Sequence, residues 1–150
     1  MKFSLYSELQ SWPGKPAAQL YGEVLEQIQN ADRLGYDAYA VIEHFFFPKF
    51  SISASPLALF AAAAQRTRRI NFRTLLHSMP YHNPLVLASE IAERFSYAGT
   101  HFQVEDSGIV PRPDRTFRVF LGGPSDRTYE LAAERGWAVV VPPLLPYAAL

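Results

Sequence analysis

Glu43 and His44 stand side by side at the end of an apolar run, AYAVIEH over residues 38–44. A carboxylate and an imidazole there could hold or move a proton as general acid or base, or donate a hydrogen bond to a bound intermediate. His77, Ser78 and His82 follow a second apolar run, and Gly122-Gly123-Pro124-Ser125 follows a third. Glycines let a backbone approach a ligand closely, and a serine opening a helix offers a hydroxyl beside free amides, a pattern suited to a phosphate. Each has a plainer reading. His44 would be a half-buried histidine bonded to a backbone carbonyl, His82 a loop or capping residue, and Gly122 to Ser125 a tight turn with an N-cap. A metal set from Glu43, His44, His77 and His82 is not expected, because no two share the i, i+4 helical or two-apart strand spacing of common ligand pairs.

The elements that must position these residues alternate along the chain. Residues 2–9, 38–44, 71–79, 117–121 and 137–141 read as strands. Leu20, Val24, Ile28, Ala31 and Leu34 recur at helical spacing after Ala17, and Gly35 stops the run. Ser55-Pro56 and Asn83-Pro84 both place a capping residue before a proline at the first helical position. The helix from Ser55 is expected to close near Arg66 to Arg69, whose charges suit its C-terminus. Ser125 caps a fourth helix over 126–135, stopped by Gly136. Residues 95–113, broken by Gly99, Gly108, Pro111 and Pro113, read as irregular, with a short extended piece at 101–105.

Strands alternating with helices predict an α/β fold with a mostly parallel sheet of about five strands, either doubly wound or part of a barrel. In both, ligands sit at the C-terminal ends of the strands. That rule puts Glu43, His44, His77, Ser78, His82 and Gly122 to Ser125 on one rim, and Arg66, Arg68 and Arg69 on the opposite face.

Composition bounds the rest. The chain has 150 residues, 49% apolar and 19% charged, the balance of a soluble globular domain, and residues 1–150 read as one domain. Fourteen basic against fourteen acidic side chains leave no broad basic face, so nucleic acid is not an expected partner. There is no cysteine, hence no disulfide, thiolate metal site or Cys nucleophile, and a reducing cytoplasm is compatible. The first sixteen residues lack the continuous apolar core of a secretion signal, and the longest apolar stretches, 57–64 and 138–145, fall far below the roughly 20 residues that cross a bilayer. A soluble, cytoplasmic protein is expected. G-x-G-x-x-G, Walker and G-x-S-x-G motifs are absent, so nicotinamide-Rossmann, NTPase and hydrolase readings lack their signatures.

The stretches FSLYSELQ (3–10), VLEQIQNADRLGYDAYAVIEHFF (24–46), SPLALFAAAAQRTRRINFRTLLHSMPYHNPLVLASEIA (55–92) and VFLGGPSDRTYELAAERGW (119–137) resemble the bacterial luciferase-like flavin-dependent monooxygenases, in the family's order. Glu43-His44 after a strand, combined with Pro80-x-His82-x-Pro84, carries the likeness. The resemblance implies a TIM-type barrel that binds reduced FMN, or a deazaflavin in some branches, and uses O2 to oxygenate a small organic substrate. His44, beside Glu43, matches the active-site histidine that assists the flavin oxygen adduct. Gly123 and Ser125, with Gly122, match the turn that holds the flavin phosphate, and His77 and His82 fall at the cofactor side of the rim. The helices from Ser55 and Asn83 match those of the family's homodimer interface, and a flavin reductase is an implied partner. A complete barrel takes about 250 residues. Here the family's strands 4, 7 and 8 have no counterpart, leaving an incomplete barrel whose open edges need cover. A flavin-binding protein without catalysis, or a degenerate remnant acting through subunit contacts, is the alternative function.

Overall fold

In a computed structural model of the chain, residues 1–91, 94–108, 118–123 and 125–140 are described. They fall into two compact units, Met1–Tyr81 and His82–Leu150.

The first unit is a β-α-β-α-β run. Strands β1 (Ser4–Ser7), β2 (Ala38–Val41) and β3 (Asn71–Thr74) form a parallel sheet in sequence order, with Leu5 opposite Tyr39 and Tyr39 opposite Phe72. Helix α1 (Ala17–Leu34) buries Leu20, Val24, Ile28 and Ala31, the stripe expected from the spacing. These side chains form a core with Tyr39 and Val41, and helix α2 (Pro56–Ala64) adds Leu59, Phe60 and Ala63. The Phe60 ring stacks on Phe72 with centroids 4.9 Å apart. All four residues of β2 are buried, as a central parallel strand requires, and each large apolar side chain buried here contributes about 1.5 to 3 kcal/mol.

Two devices set where α1 ends and β2 begins. Gly35 takes a left-handed φ of 84°, and the amides of Gly35 and Tyr36 close on the Asp32 and Ala31 carbonyls. Asp37 then fastens the N-terminal ends of all three strands. Its amide donates to the Phe3 carbonyl, its own carbonyl accepts from the Asn71 amide, and its carboxylate pairs with Lys2 and Arg73, each at 2.9 Å.

The second unit holds the short helix α3 (Pro84–Ile91), an antiparallel pair β4 (Phe95–Ala98) and β5 (Gln103–Ser107), and a parallel pair β6 (Phe120–Gly122) and β7 (Ala138–Val140) joined by α4 (Asp126–Arg135). The five expected strands are therefore the five parallel ones, paired as three and two. The hairpin β4–β5 replaces the irregular stretch expected there. It turns through the Gly99 amide, which donates to the Phe102 carbonyl, and the Tyr97 ring lies across Gly99, where a Cβ would have to displace it.

Several element ends differ from expectation. The strands expected over 38–44 and 71–79 stop at Val41 and Thr74, because the backbone beyond turns to loop partners. Ser55 makes no side-chain cap to α2, whose start rests on Pro56. No basic residue lies in the last turn of α2. The Arg68 and Arg69 amides instead donate to the Asp32 carboxylate. Asn83 does cap, accepting the Leu85 amide hydrogen at 2.9 Å. Phe117, Pro124 and Val141, at the edges of expected elements, lie outside the described residues. No described helix is long and apolar enough to cross a membrane.

Candidate active site

Beyond their regular ladder, β2 and β3 stay stitched together. The Leu75 amide donates to the Val41 carbonyl at 2.9 Å, and the Glu43 amide to the Leu76 carbonyl at 3.0 Å. This carries Glu43 into the interior, where its side chain is 3% exposed. The carboxylate accepts the Ser78 amide hydrogen at 2.6 Å, and the His77 Nδ1 lies 3.6 Å from its other oxygen. A buried carboxylate needs such donors, because an unpaired charge in the interior is strongly disfavoured. Glu43 is thus turned inward, where it holds the segment after β3.

His44 occupies the opposite situation. Its amide donates to the Ser53 carbonyl at 2.9 Å, and its ring leans on Phe50 with centroids 4.7 Å apart and planes tilted by 55°. The ring is half-buried, with Nδ1 the inward nitrogen, and Nδ1 has no hydrogen-bond partner among the described residues. The loop behind it is tied down at several points. The Ser11 amide donates to Pro48, the Ile52 amide to Leu9, and the Tyr21 hydroxyl to the Ile52 carbonyl at 2.9 Å. Loop 45–55 is therefore bound to the end of β1 and to α1, which fixes where the imidazole sits.

An apolar rim adjoins this histidine. Phe45 meets Phe46 and Tyr81 at centroid distances of 5.9 and 4.9 Å, and Phe46 is 89% exposed. Exposed aromatic rings gathered at a strand-end rim can take an apolar organic molecule.

In the second unit, Gly122 ends β6 and Gly123 adopts φ +148°, where an added Cβ would lie 3.2 Å from the Thr128 Oγ1. Ser125 caps α4 as expected. Its Oγ accepts the Thr128 amide hydrogen at 3.3 Å and lies 2.8 Å from the Thr128 hydroxyl. The turn has the open backbone and hydroxyl pair that suit a phosphate, while Asp126 places an acidic side chain in the same first turn. His82 opens this unit as a half-buried residue. His77 lies with Glu43 in the first.

Sequence reasoning proposed Glu43, His44 and His77 from their place at strand ends. It missed Ser53 and Phe50, which touch or flank His44 through a loop. An aromatic-rich FFFPKF run directly after the histidine was the available signal for Phe50; none pointed to Ser53.

The sequence profile of the family described as luciferase-like monooxygenase matches residues 1–93, and the chain belongs to that family. It is similar to limonene 1,2-monooxygenase of Rhodococcus erythropolis, 40% identical over 67 residues, covering 45% of this chain and 17% of that protein. Among solved structures, a monooxygenase from Streptomyces bottropensis matches 99% of this chain and 62% of its own, with a TM-score of 0.83 at 22% identity. The oxygenating constituent of 3,6-diketocamphane monooxygenase from Pseudomonas putida, a type II Baeyer-Villiger enzyme in complex with FMN, matches 94% and 57%, with a TM-score of 0.69 at 17% identity. These likenesses give the fold, the incomplete TIM-type α/β class. The chain spans under a fifth of the length of the limonene enzyme and about three fifths of the two solved chains.

Proposed function

We propose that residues 1–150 form a luciferase-like domain that uses reduced FMN and O2 to oxygenate a small, apolar organic substrate. The observation that carries this is the His44 imidazole, packed on Phe50 just beyond β2 on a backbone whose amide is bonded to the Ser53 carbonyl, in a chain of this family. The fit to a flavin is supported by the Gly123 turn, whose backbone a Cβ would crowd, with the Ser125 and Thr128 hydroxyls beside it. When bound, the reduced flavin supplies the electrons that activate O2. The chain's own residues do the rest. Gly122, Gly123 and Ser125 hold the phosphate, and His77 and His82 contribute to the cofactor side of the rim. Phe45, Phe46 and Tyr81 exclude water and seat the substrate, and His44 donates or moves a proton at its outward nitrogen.

One solved neighbour is in complex with FMN and another, an F420-dependent secondary alcohol dehydrogenase, holds an F420-acetone adduct, so the proposal takes FMN with a deazaflavin as the alternative cofactor. The Pseudomonas putida relative is named as the oxygenating constituent of its system, which supports a separate reductase as supplier of the reduced cofactor. A homodimer through α2 and α3 is part of the proposal, since Leu57 on α2 and Val86 on α3 are exposed at 48% and 55%.

Titration of the folded chain with oxidised and reduced FMN, and in parallel with a deazaflavin, tests the reading. Saturable FMN binding with substrate-dependent O2 uptake is expected. Saturation without uptake would leave a flavin-binding protein that does not catalyse. A folded chain that binds neither would overturn the flavin reading.

A further inference from the structure

Among the described residues of the first unit, His44 and Ser53 touch and each carries a buried polar atom without a hydrogen-bond partner. Ser53 is fully buried, and its Oγ reaches no donor or acceptor among the described residues. Its carbonyl accepts the His44 amide hydrogen at 2.9 Å, and the His44 Nδ1 is the second orphan. The Ser53 amide is already engaged, donating to the Ser51 Oγ at 3.1 Å, so the backbone around this hydroxyl is fixed on both sides. Native interiors satisfy nearly all buried polar groups, often through a single trapped water. Two orphans on hydrogen-bonded neighbours are satisfied together by one such link.

From this pairing we infer that Ser53 is a positioning residue for His44. Its hydroxyl, through one bridging water, donates a hydrogen bond to Nδ1 and fixes the imidazole tautomer. The direction is part of the inference: the hydroxyl and the water each have a proton to give, and Nδ1 accepts one when the ring proton sits on Nε2. Phe50 supplies the second constraint by fixing the ring plane. The consequence for chemistry is that His44 presents Nε2–H outward, a hydrogen-bond donor and general acid rather than a base. That consequence rests on the role proposed for His44, whereas the tautomer itself does not.

The test needs no cofactor. In an isotope-labelled full-length chain, the imidazole nitrogen shifts are read by NMR above the pH range in which free histidine titrates, and His44→Gln assigns the His44 signals by their loss. The expected spectrum shows Nδ1 unprotonated and Nε2 protonated. Ser53→Ala, which removes only a hydroxyl, is expected to fold and to move the His44 nitrogens toward tautomer averaging, leaving His77, His82 and His101 unchanged. Ser53→Thr, which restores a hydroxyl, is expected to return them. A protonated Nδ1 in the parent chain, or His44 shifts identical in parent and Ser53→Ala, would overturn the inference. Loss of flavin binding with these shifts intact would instead overturn the function proposed above and leave the positioning role standing.

Discussion

The Glu43 carboxylate accepts the Ser78 amide hydrogen at 2.6 Å, joining the chain beyond β2 to the chain beyond β3. Removing the acceptor leaves a part-buried donor unpaired. Glu43→Ala should therefore lower the unfolding free energy by about 1 to 3 kcal/mol, and Glu43→Gln, which keeps an oxygen in place, by clearly less. Denaturant melts of the two variants give the comparison. Equal losses would mean the hydrogen bond contributes nothing beyond packing.

His44→Ala should bind FMN about as well as the parent yet lose turnover by a factor of about 100 to 10,000, the usual contribution of a positioned acid or base. Parallel flavin titrations and O2-uptake assays separate the two effects. Retained turnover removes His44 from the chemistry.

Asp32 should make the fold sensitive to acid. Its carboxylate, in the last turns of α1, accepts the amide hydrogens of Arg68, Arg69 and Ile70 at 3.1, 2.9 and 2.8 Å. Burial alone would raise its pKa, but the hydrogen bonds from the Arg69, Ile70 and Arg68 amides and the Arg69 charge outweigh this and hold it below the ordinary 3.8. A carboxyl lowered by folding contributes its stability in full above its unfolded value, and loses it as pH falls through the folded one. Asp32→Asn should therefore be less stable than the parent near neutrality, by roughly 0.2 to 1 kcal/mol because water screens this partly exposed group. The gap should close as the pH drops below the ordinary carboxylate value. Thermal melts across that range decide, and a gap constant with pH would exclude the charge as its source.

Gly123→Ala should weaken FMN binding more than it weakens the fold. The residue sits at φ +148°, and the new methyl would press on the Thr128 hydroxyl that Ser125 also touches. Gly136→Ala is the control: it strains the left-handed C-cap of α4 without touching the turn. Comparable flavin affinities in the two variants would exclude backbone approach at Gly123.

Much of this fold was legible because its signals are local. The α1 stripe, the Gly35 and Gly136 stops and the Ser125 cap depend on residues within a few positions of one another, and each appears in the structure. The strand ends at Val41 and Thr74 were overrun because apolar character continues past them, while the amides of Glu43 and Leu75 find partners that only the folded neighbour supplies. The β4–β5 hairpin escaped because its turn lacks an Asn-Gly or Asp-Gly pair and depends instead on Tyr97 crossing Gly99. At the site, strand position marked Glu43 and His44 but could not tell inward from outward. That distinction arises from Ser78 on one side and from Ser53 and Phe50 on the other.

The Asp37 fastening gives the three-stranded sheet two unlike ends. At one end a single side chain gathers the termini of three strands through opposite charges; at the other, loop backbones and one buried carboxylate do the holding. Added salt weakens the former and leaves the latter largely untouched. Ionic strength therefore acts on the charge pairs at one extremity, where the Phe3 and Asn71 backbone bonds persist, while the loops that carry His44 stay anchored in saline.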